Sequence, residues 1–182
     1  AGGVPVAAAA AAELELDLDA AVVSKVTFPD NPEAGFGAVA FDGGLLLNEP
    51  LIAAAGLSDR VVSERVEATR RKVARRVESL RSGAPAPGLA GRPVVLVDDG
   101  LASGFTLLAA VQACRRAGAG ALVVAVPTGH RRAAERVAAE LDSLYCATLR
   151  SSPSFAVASA YRHWRDVPEQ EAAASLAEYG GS

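Results

Sequence analysis

Short apolar runs alternate with longer segments of helical periodicity along the second half of this chain. The runs at residues 94–97, 121–126 and 144–149 have the length and composition of strands. Between them, residues 106–117 and 131–141 carry apolar side chains at the spacing of helices. Because strands that alternate with helices favour parallel pairing, we predict an α/β fold, and we expect the all-apolar run 94–97 to be buried on both faces.

The first half of the chain predicts one helix and several short strands. An alanine-rich helix is expected over residues 6–14, and a strand follows at residues 21–26. Residues 28–33 contain two prolines together with Asp and Asn, so we interpret them as a loop. Residues 37–41 and 45–48 flank an Asp-Gly-Gly sequence, which predicts a hairpin.

A long basic helix is predicted from Ser58, its candidate N-cap, to about Arg81. Its apolar stripe consists of Val62, Val66, Val73, Val77 and Leu80. Eight basic and four acidic residues give positions 59–81 a net charge of +4. The basic face is either solvated and held by pairs such as Glu67–Arg71, or a surface that steers a polyphosphate, and the sequence does not choose between them.

The remaining segments complete the predicted organisation. Residues 82–88 are small and proline-rich, which predicts a linker, and residues 151–182 form a C-terminal appendage with a last helix over 168–179. A chain of 182 residues has the size of one domain. We therefore expect a single α/β domain over residues 1–182, with an open, mainly parallel twisted sheet flanked by helices and a small aromatic and helical appendage.

Composition and charge exclude several classes of protein. The net charge of −3 gives no general attraction to nucleic acid or to anionic membranes, so we expect neither as a partner. No apolar run approaches the ~20 residues of a membrane span, and the alanine run 7–12 lacks the basic flank of a signal peptide. Cys114 and Cys146 are expected to be buried thiols, and His130 and His163 have no metal-ligand spacing. We expect a cytoplasmic protein without a metal site of its own.

The residues that follow the run 94–97 have the most informative chemistry. Asp98 and Asp99 adjoin a predicted strand, and carboxylates there must face a ligand or solvent. A loop of small residues comes next, and then a helix whose first turn offers free N–H groups to an anion. Ionised carboxylates accept hydrogen bonds from sugar hydroxyls, so the pattern indicates a ribose 5-phosphate site at a ligand-binding edge of the sheet. The alternative is an acid-rich turn in which Ser103 is only an N-cap.

Residues 94–106 resemble the PRPP-binding motif of the type I phosphoribosyltransferases, where PRPP is 5-phosphoribosyl 1-pyrophosphate. They have an apolar run, two acids, two variable residues and then Ala102-Ser103-Gly104-Phe105-Thr106. Shorter matches elsewhere resemble a little-characterised bacterial and archaeal subgroup. The resemblance implies the fold of that family and a transferase that moves the 5-phosphoribosyl group of PRPP to a nitrogenous base with release of pyrophosphate.

The resemblance also implies a role for each matching residue. Asp98 and Asp99 would bind the ribose hydroxyls and would be the catalytic residues. The residues that would bind PRPP through its 5-phosphate and ribose are Asp98, Asp99, Gly100, Ala102, Ser103, Gly104, Phe105 and Thr106.

The other subsites are implied by shorter matches. The pyrophosphate would lie at a turn formed by Gly2 and Gly3, with Lys25 as its countercharge, and Mg²⁺ would arrive with PRPP and be held largely by substrate oxygens and water. The candidates for contact with the base are His130, Phe155, Tyr161 and Trp164. These aromatics serve equally well as packing for the last helix. The family often forms homodimers, although the sequence itself indicates no oligomeric state.

Two other classes of function are weighed against the transferase. A non-catalytic regulatory protein of the same fold would bind PRPP or a nucleotide without releasing pyrophosphate, and its basic helix would contact a partner such as RNA. A hydrolase is disfavoured, because the sequence contains neither a Gly-x-Ser-x-Gly elbow nor a Walker-type glycine-lysine loop.

Overall fold

Two three-stranded sheets, one antiparallel and one parallel, form the frame of the molecule. The structure is a computed structural model that describes residues 1–81, 85–152 and 154–179. Its elements in chain order are α1 (Gly3–Leu14), β1 (Val23–Phe28), β2 (Asn31–Ala40), β3 (Leu45–Leu47), α2 (Glu49–Ala54), α3 (Asp59–Arg81), β4 (Val94–Val97), α4 (Phe105–Arg116), β5 (Leu122–His130), α5 (Arg131–Ala138), β6 (Ser143–Arg150), a short 3-10 helix (Val157–Ala160) and α6 (Glu169–Tyr179).

The parallel sheet has the strand order β4-β5-β6, with Leu96 opposite Val124 and Val124 opposite Leu144. Helices α4 and α5 pack on the face that carries Leu96 and Val124, where Val111 and Val137 are fully buried. The α/β class and the predicted crossover helices are confirmed. This packing places the carboxyl ends of β4 and β5 at the same edge as the starts of α4 and α5, with α5 beginning directly after β5.

The prediction that residues 94–97 are buried on both faces was wrong. Val95 is 45% exposed, and on strand β6 of the same sheet Tyr145 is 66% exposed and Leu149 43% exposed. In the described part of the chain β4 pairs only with β5, and the helices α4 and α5 cover one face of the sheet. An apolar run therefore predicted the strand correctly, but it did not predict how much of that strand is covered.

The antiparallel sheet has the order β1-β2-β3. The predicted hairpin around residues 42–44 is confirmed, and Gly43 adopts the left-handed conformation with φ +80° that this turn needs. Residues 28–33 are not a loop throughout, because β1 ends at Phe28 and β2 already begins at Asn31. The side chain of Asn31 accepts hydrogen bonds from the N–H groups of Glu33 and Ala34, at 3.0 and 3.2 Å. Only a tight turn at residues 29–30 separates the strands.

Helix α3 packs on the antiparallel sheet through its predicted apolar stripe. Val66, Val73 and Leu80 are buried in one cluster with Phe36 and Val39. Part of its basic face is structural, since it binds neighbouring elements. The contacts are Arg65 to the carbonyls of Thr27 and Phe28, Arg76 to Glu169 and Ser24, and Arg81 to Asp19. Glu67 pairs with Arg70 at 2.6 Å rather than with Arg71 as expected.

Helix α4 connects the two sheets. Its Ala109 and Ala113 are buried against Ala38 and Ala40 of β2, so only small side chains separate this helix from the antiparallel sheet. The opposite side of α4 belongs to the core of the parallel sheet. Helix α4 is therefore packed against both sheets, and this packing holds its first turn in place.

Several expectations about the chain ends and linkers are refined. Helix α1 begins at Gly3 rather than at Val6, α2 was not predicted, and α6 begins at Glu169. The predicted linker 82–88 and the appendage 151–182 each include residues outside the described part, namely 82–84, 153 and 180–182.

Both cysteines have free thiols, and Cys114 is buried as expected whereas Cys146 is only half-buried. Among the described residues, helices of the length and apolarity that a bilayer span requires are absent.

Candidate active site

The acidic turn, Asp98 and Asp99, lies at the carboxyl end of β4. The chain after it is held to β5, because the N–H of Leu101 donates to the carbonyl of Thr128 at 2.9 Å and the N–H of His130 donates to the carbonyl of Leu101 at 2.8 Å. Leu101 is 2% exposed, so its side chain anchors the loop in the core. These bonds place both carboxylates at the sheet edge where the sequence predicted them.

The glycine pair, Gly2 and Gly3, lies directly against the acidic turn. A Cβ atom added to Gly2 would lie 1.8 Å from Oδ2 of Asp99, and one added to Gly3 would lie 2.8 to 2.9 Å from Oδ1 and Cα of Asp98 and from the carbonyl of Val97. At Gly3 only glycine permits this approach because backbone atoms lie in the way, whereas a side chain at position 2 would require the Asp99 carboxylate to move. The sequence predicted a turn here, but Gly3 already starts α1 and Gly2 has helical dihedral angles. The first turn of α1 therefore borders the carboxylates.

The two carboxylates differ in their electrostatic environment. Asp98 accepts a hydrogen bond from the N–H of Asp99 at 3.0 Å. Burial, and then the negative charge of Asp99, raise the pKa of Asp98 to about 6. The pKa of Asp99 is also raised, chiefly by burial. Adjacent acids with raised pKa values at the edge of a sheet are typical of a ligand-binding site.

The phosphate loop, residues 102–106, leads from the acidic turn into α4. Gly104 has φ +80°, which favours glycine, and it is the N-cap of α4. The hydroxyl of Ser103 accepts a hydrogen bond from the N–H of Phe105 at 3.4 Å, while Ala102 and Ser103 are exposed and Phe105 and Thr106 half-buried. The remaining N–H groups of the first turn of α4 lie in the same segment as the hydroxyls of Ser103 and Thr106, which suits an anion, and the assignment of a phosphate to this loop stays a prediction.

Helix α5 supports the back of the phosphate loop. The guanidinium of Arg136 donates from Nη1 to the carbonyl of Ser103 at 2.9 Å. A Cβ atom at Gly104 would lie 2.9 Å from Cγ2 of Val137, so the loop also packs tightly on this helix. Sequence reasoning missed Arg136, because α5 contains three arginines and only the fold shows which of them faces the loop.

Lys25 forms its hydrogen bond within the β1–β2 hairpin and not with the glycine pair. Its ammonium donates to the carbonyl of Glu33 at 2.9 Å, across the β1–β2 hairpin. The contacts found for Lys25 in the described chain therefore belong to the hairpin, and its assignment to pyrophosphate stays a prediction.

The four candidate aromatic residues form two separate pairs. The rings of His130 and Phe155 lie 6.2 Å apart at the end of β5. The rings of Tyr161 and Trp164 lie 5.1 Å apart, and the hydroxyl of Tyr161 donates to the backbone carbonyl of Asp99 at 2.5 Å. The second pair therefore reaches the acidic turn, which the sequence did not indicate because Tyr161 and Asp99 are 62 residues apart in the chain.

Comparison with known proteins finds relatives that match most of this chain. Two Mycobacterium tuberculosis proteins, named "Putative phosphoribosyl transferase MT0597" (strain CDC 1551) and "Putative phosphoribosyl transferase Rv0571c" (strain H37Rv), are each 38% identical to this chain over 178 residues. The matched part is 96% of this chain, and the chain spans 39% of the length of these relatives.

A solved structure has the same fold. The crystal structure of TT1426 from Thermus thermophilus superposes with a TM-score of 0.78 at 32% sequence identity, covering 98% of this chain and 84% of that one. The phosphoribosyl transferase domain family matches residues 1–157, which contain the acidic turn, the glycine pair and the phosphate loop. As the motif at residues 94–106 predicted, this chain belongs to the phosphoribosyl transferase domain family.

Proposed function

We propose that this chain binds PRPP and transfers its 5-phosphoribosyl group to a nitrogenous base, releasing pyrophosphate. The observation that carries the proposal is the contact between the glycine pair and the acidic turn at the start of the phosphate loop. It brings the N-terminus of α1 to the two carboxylates, and the phosphate loop leads from the same carboxylates to the N-terminus of α4. Two anion sites on either side of two hydroxyl acceptors match the chemistry of PRPP, which has a phosphate and a pyrophosphate on one ribose.

The 5-phosphate is assigned to the phosphate loop. The N–H groups at the start of α4 and the hydroxyls of Ser103 and Thr106 donate to its oxygens, and the helix dipole favours its charge. Gly104 has the left-handed conformation that lets the chain turn into α4, and it packs on Val137 of α5. The loop is attached to α5 through Arg136, so its donors are arranged before the ligand binds.

The ribose hydroxyls are assigned to Asp98 and Asp99, and the pyrophosphate to Gly2 and Gly3 with Lys25 as an additional cation. In the described residues no cluster of three or more His, Cys, Asp or Glu side chains has the arrangement of a protein metal site. The acidic turn nevertheless fits Mg²⁺, which takes few protein carboxylates and many substrate oxygens. Asp98 and Asp99 would hold the ion together with PRPP, and when bound it neutralises charge on the leaving pyrophosphate.

The reaction forms one bond and breaks another at C1 of the ribose. A ring nitrogen of the base forms the C1–N bond, the C1–O bond to pyrophosphate breaks with its electron pair, and the nitrogen loses a proton. The contribution of this chain is to position the two reactants and to stabilise charge through the carboxylates and the helix N-termini. The base is assigned to the surface between the two aromatic pairs, His130 with Phe155 and Tyr161 with Trp164.

The test measures pyrophosphate release from PRPP and Mg²⁺ with a panel of purine, pyrimidine and pyridine bases. We expect release with one class of base, and a loss of at least about tenfold in kcat/KM in Asp99→Asn, because that substitution removes a charged acceptor of the ribose. Asp30→Asn, in the exposed turn between β1 and β2, is the control and should match the unsubstituted chain. Binding of PRPP without release by any base would instead support the non-catalytic regulator.

A further inference from the structure

The C-terminal tail, residues 157–179, begins at the end of the family match and reaches into the site. The match ends at residue 157, and the structure describes this segment as far as residue 179. Its first part, from the 3-10 helix Val157–Ala160 to Tyr161, lies on the acidic turn and on β5. Tyr161, which lies beyond the residues that match the domain family, therefore contacts the backbone that carries the carboxylates.

The contact between this segment and the acidic turn is close. A Cβ atom added to Gly100 would lie 2.6 Å from Cγ1 and 2.8 Å from Cγ2 of Val157. Any side chain at position 100 would displace the 3-10 helix, since real Cβ atoms do not approach so closely. Val157 of the tail and Gly100, directly after the acidic turn, are therefore in tight contact.

A hydrogen bond fixes the same turn one residue earlier. The hydroxyl of Tyr161 donates to the carbonyl of Asp99 at 2.5 Å, in a half-buried position. The phenol is a donor at neutral pH because the ordinary pKa of tyrosine is about 10. Burial, and then the charges of Asp99 and Asp98, raise the pKa of Tyr161 further. The ring of Trp164, 5.1 Å away, packs on the tyrosine and restricts its orientation.

We infer that Tyr161 is a positioning residue that holds the Asp99–Gly100 peptide, and through it the Asp99 carboxylate, in the orientation that binds the ribose of PRPP. The inference rests on the proposed function, since the ribose is the ligand group concerned. Tyr161 acts on the ribose through the backbone of Asp99, a role that the sequence did not indicate. The tail thereby becomes part of the substrate site.

The chain contains a matched control for this tyrosine. The hydroxyl of Tyr179 in α6 donates to the carbonyl of Ala8 in α1 at 2.8 Å, also in a half-buried position. Tyr161→Phe and Tyr179→Phe each remove one phenol that donates to a backbone carbonyl. A purely structural role predicts that both variants lose thermal stability to the same extent and keep the same PRPP affinity.

The first arm of the test is calorimetric titration of the full chain and both variants with PRPP in the presence of Mg²⁺. We expect Tyr161→Phe to bind PRPP about threefold to tenfold more weakly, the effect of one hydrogen bond, and Tyr179→Phe to bind like the unsubstituted chain. Equal affinity of Tyr161→Phe and the unsubstituted chain would overturn the positioning role while leaving the proposed function intact.

The second arm needs no ligand. Amide hydrogen exchange at Leu101, whose N–H donates to Thr128, reports how firmly the turn is held. We expect faster exchange there in Tyr161→Phe and an unchanged rate in Tyr179→Phe. If exchange rose in this way although the unsubstituted chain bound no PRPP, the hold of Tyr161 on the turn would stand and the proposed function would fail. Unchanged exchange in Tyr161→Phe would overturn the hold itself.

Discussion

Close backbone contacts at the residue scale explain why the site needs two glycines next to two acids. Gly2 and Gly3 leave no space between the start of α1 and the carboxylates of Asp98 and Asp99. The backbone of one element thus takes the position that a side chain would otherwise fill. In the proposed function, the N–H groups at the start of α1 and the carboxylates would contact the same ligand.

Gly3→Ala should lower the free energy of unfolding by about 1–2 kcal/mol, the usual cost of an added methyl that the surroundings cannot accommodate. Its Cβ would lie 2.9 Å from the Cα of Asp98 and the carbonyl of Val97, and backbone atoms of a paired strand cannot move aside. Urea denaturation measures the change. Gly88→Ala is the control, because a Cβ there meets no atom of residues 1–81, 85–152 or 154–179 within 4 Å. Equal stability of the two variants would contradict the close contact.

Asp98 should titrate near pH 6, and Asp99→Asn should lower its pKa. Burial, and then the charge of Asp99, together raise the pKa of Asp98 from 3.8 to about 6. The folded chain therefore holds this proton more tightly than the unfolded chain, so the contribution of Asp98 to stability falls as the pH rises from about 4 to about 6. Carboxyl-carbon NMR of both forms measures the pKa, and a value near 4 in the unsubstituted chain would exclude the buried environment.

Some of the residues in the candidate site could be predicted from the sequence. Asp98, Asp99 and the small residues of the loop were predicted because their order along the chain carries the chemistry. Gly2 and Gly3 were assigned to the site by resemblance, but their contact with Asp98 and Asp99 depends on the folding of α1 against β4. A sequence pattern contains no information on such a distance.

At the scale of elements, α4 and α5 shape the phosphate loop between them. The start of α4 presents the N–H groups, and α5 holds the opposite side of the loop through Arg136 and Val137. In a peptide group the carbonyl and the N–H point in opposite directions, so a cation on the Ser103 carbonyl makes the N–H of Gly104 a stronger donor. The loop is therefore polarised as well as positioned.

Arg136→Gln should weaken the binding of PRPP by about twofold to tenfold, because an exposed hydrogen bond from a charged group is lost. Arg132→Gln, one turn earlier in the same helix, removes the same charge from an exposed residue with no hydrogen bond in the described chain, and it controls for the loss of net charge. Calorimetry at two salt concentrations measures both. Equal effects of the two substitutions would assign the result to general electrostatics.

Helical periodicity predicted α3, α4 and α5 well, because apolar spacing is a local property of the sequence. It failed where pairing partners decide the outcome. Asn31 is a residue type common in turns, yet its backbone is already paired with Phe28 of β1. Its side chain accepts a hydrogen bond from the N–H of Glu33 at the start of β2. Val95 has the character of a core residue, yet it lies on a strand that is paired on one side within the described chain.

For the whole molecule, the two sheets meet through α4, and the tail closes on the acidic turn from the opposite end of the chain. The alanines of α4 and β2 allow the helix to lie close to the antiparallel sheet. Salt bridges link distant segments at the periphery, such as Arg116 with Asp42, which lowers the pKa of that carboxyl. Sequence predicted an α/β domain of this family, whereas the docking of residues 157–161 on the acidic turn arises only in the folded chain.

The central claim is that the glycine pair, the acidic turn and the phosphate loop form one PRPP site. Isothermal titration of the chain with PRPP, with and without Mg²⁺, tests it most directly. We predict saturable one-to-one binding that is strengthened by Mg²⁺ and lost in a Ser103→Ala, Thr106→Ala double variant that removes both hydroxyls of the phosphate loop. An absence of binding under both conditions, or binding that survives in the double variant, would contradict the assignment of this site.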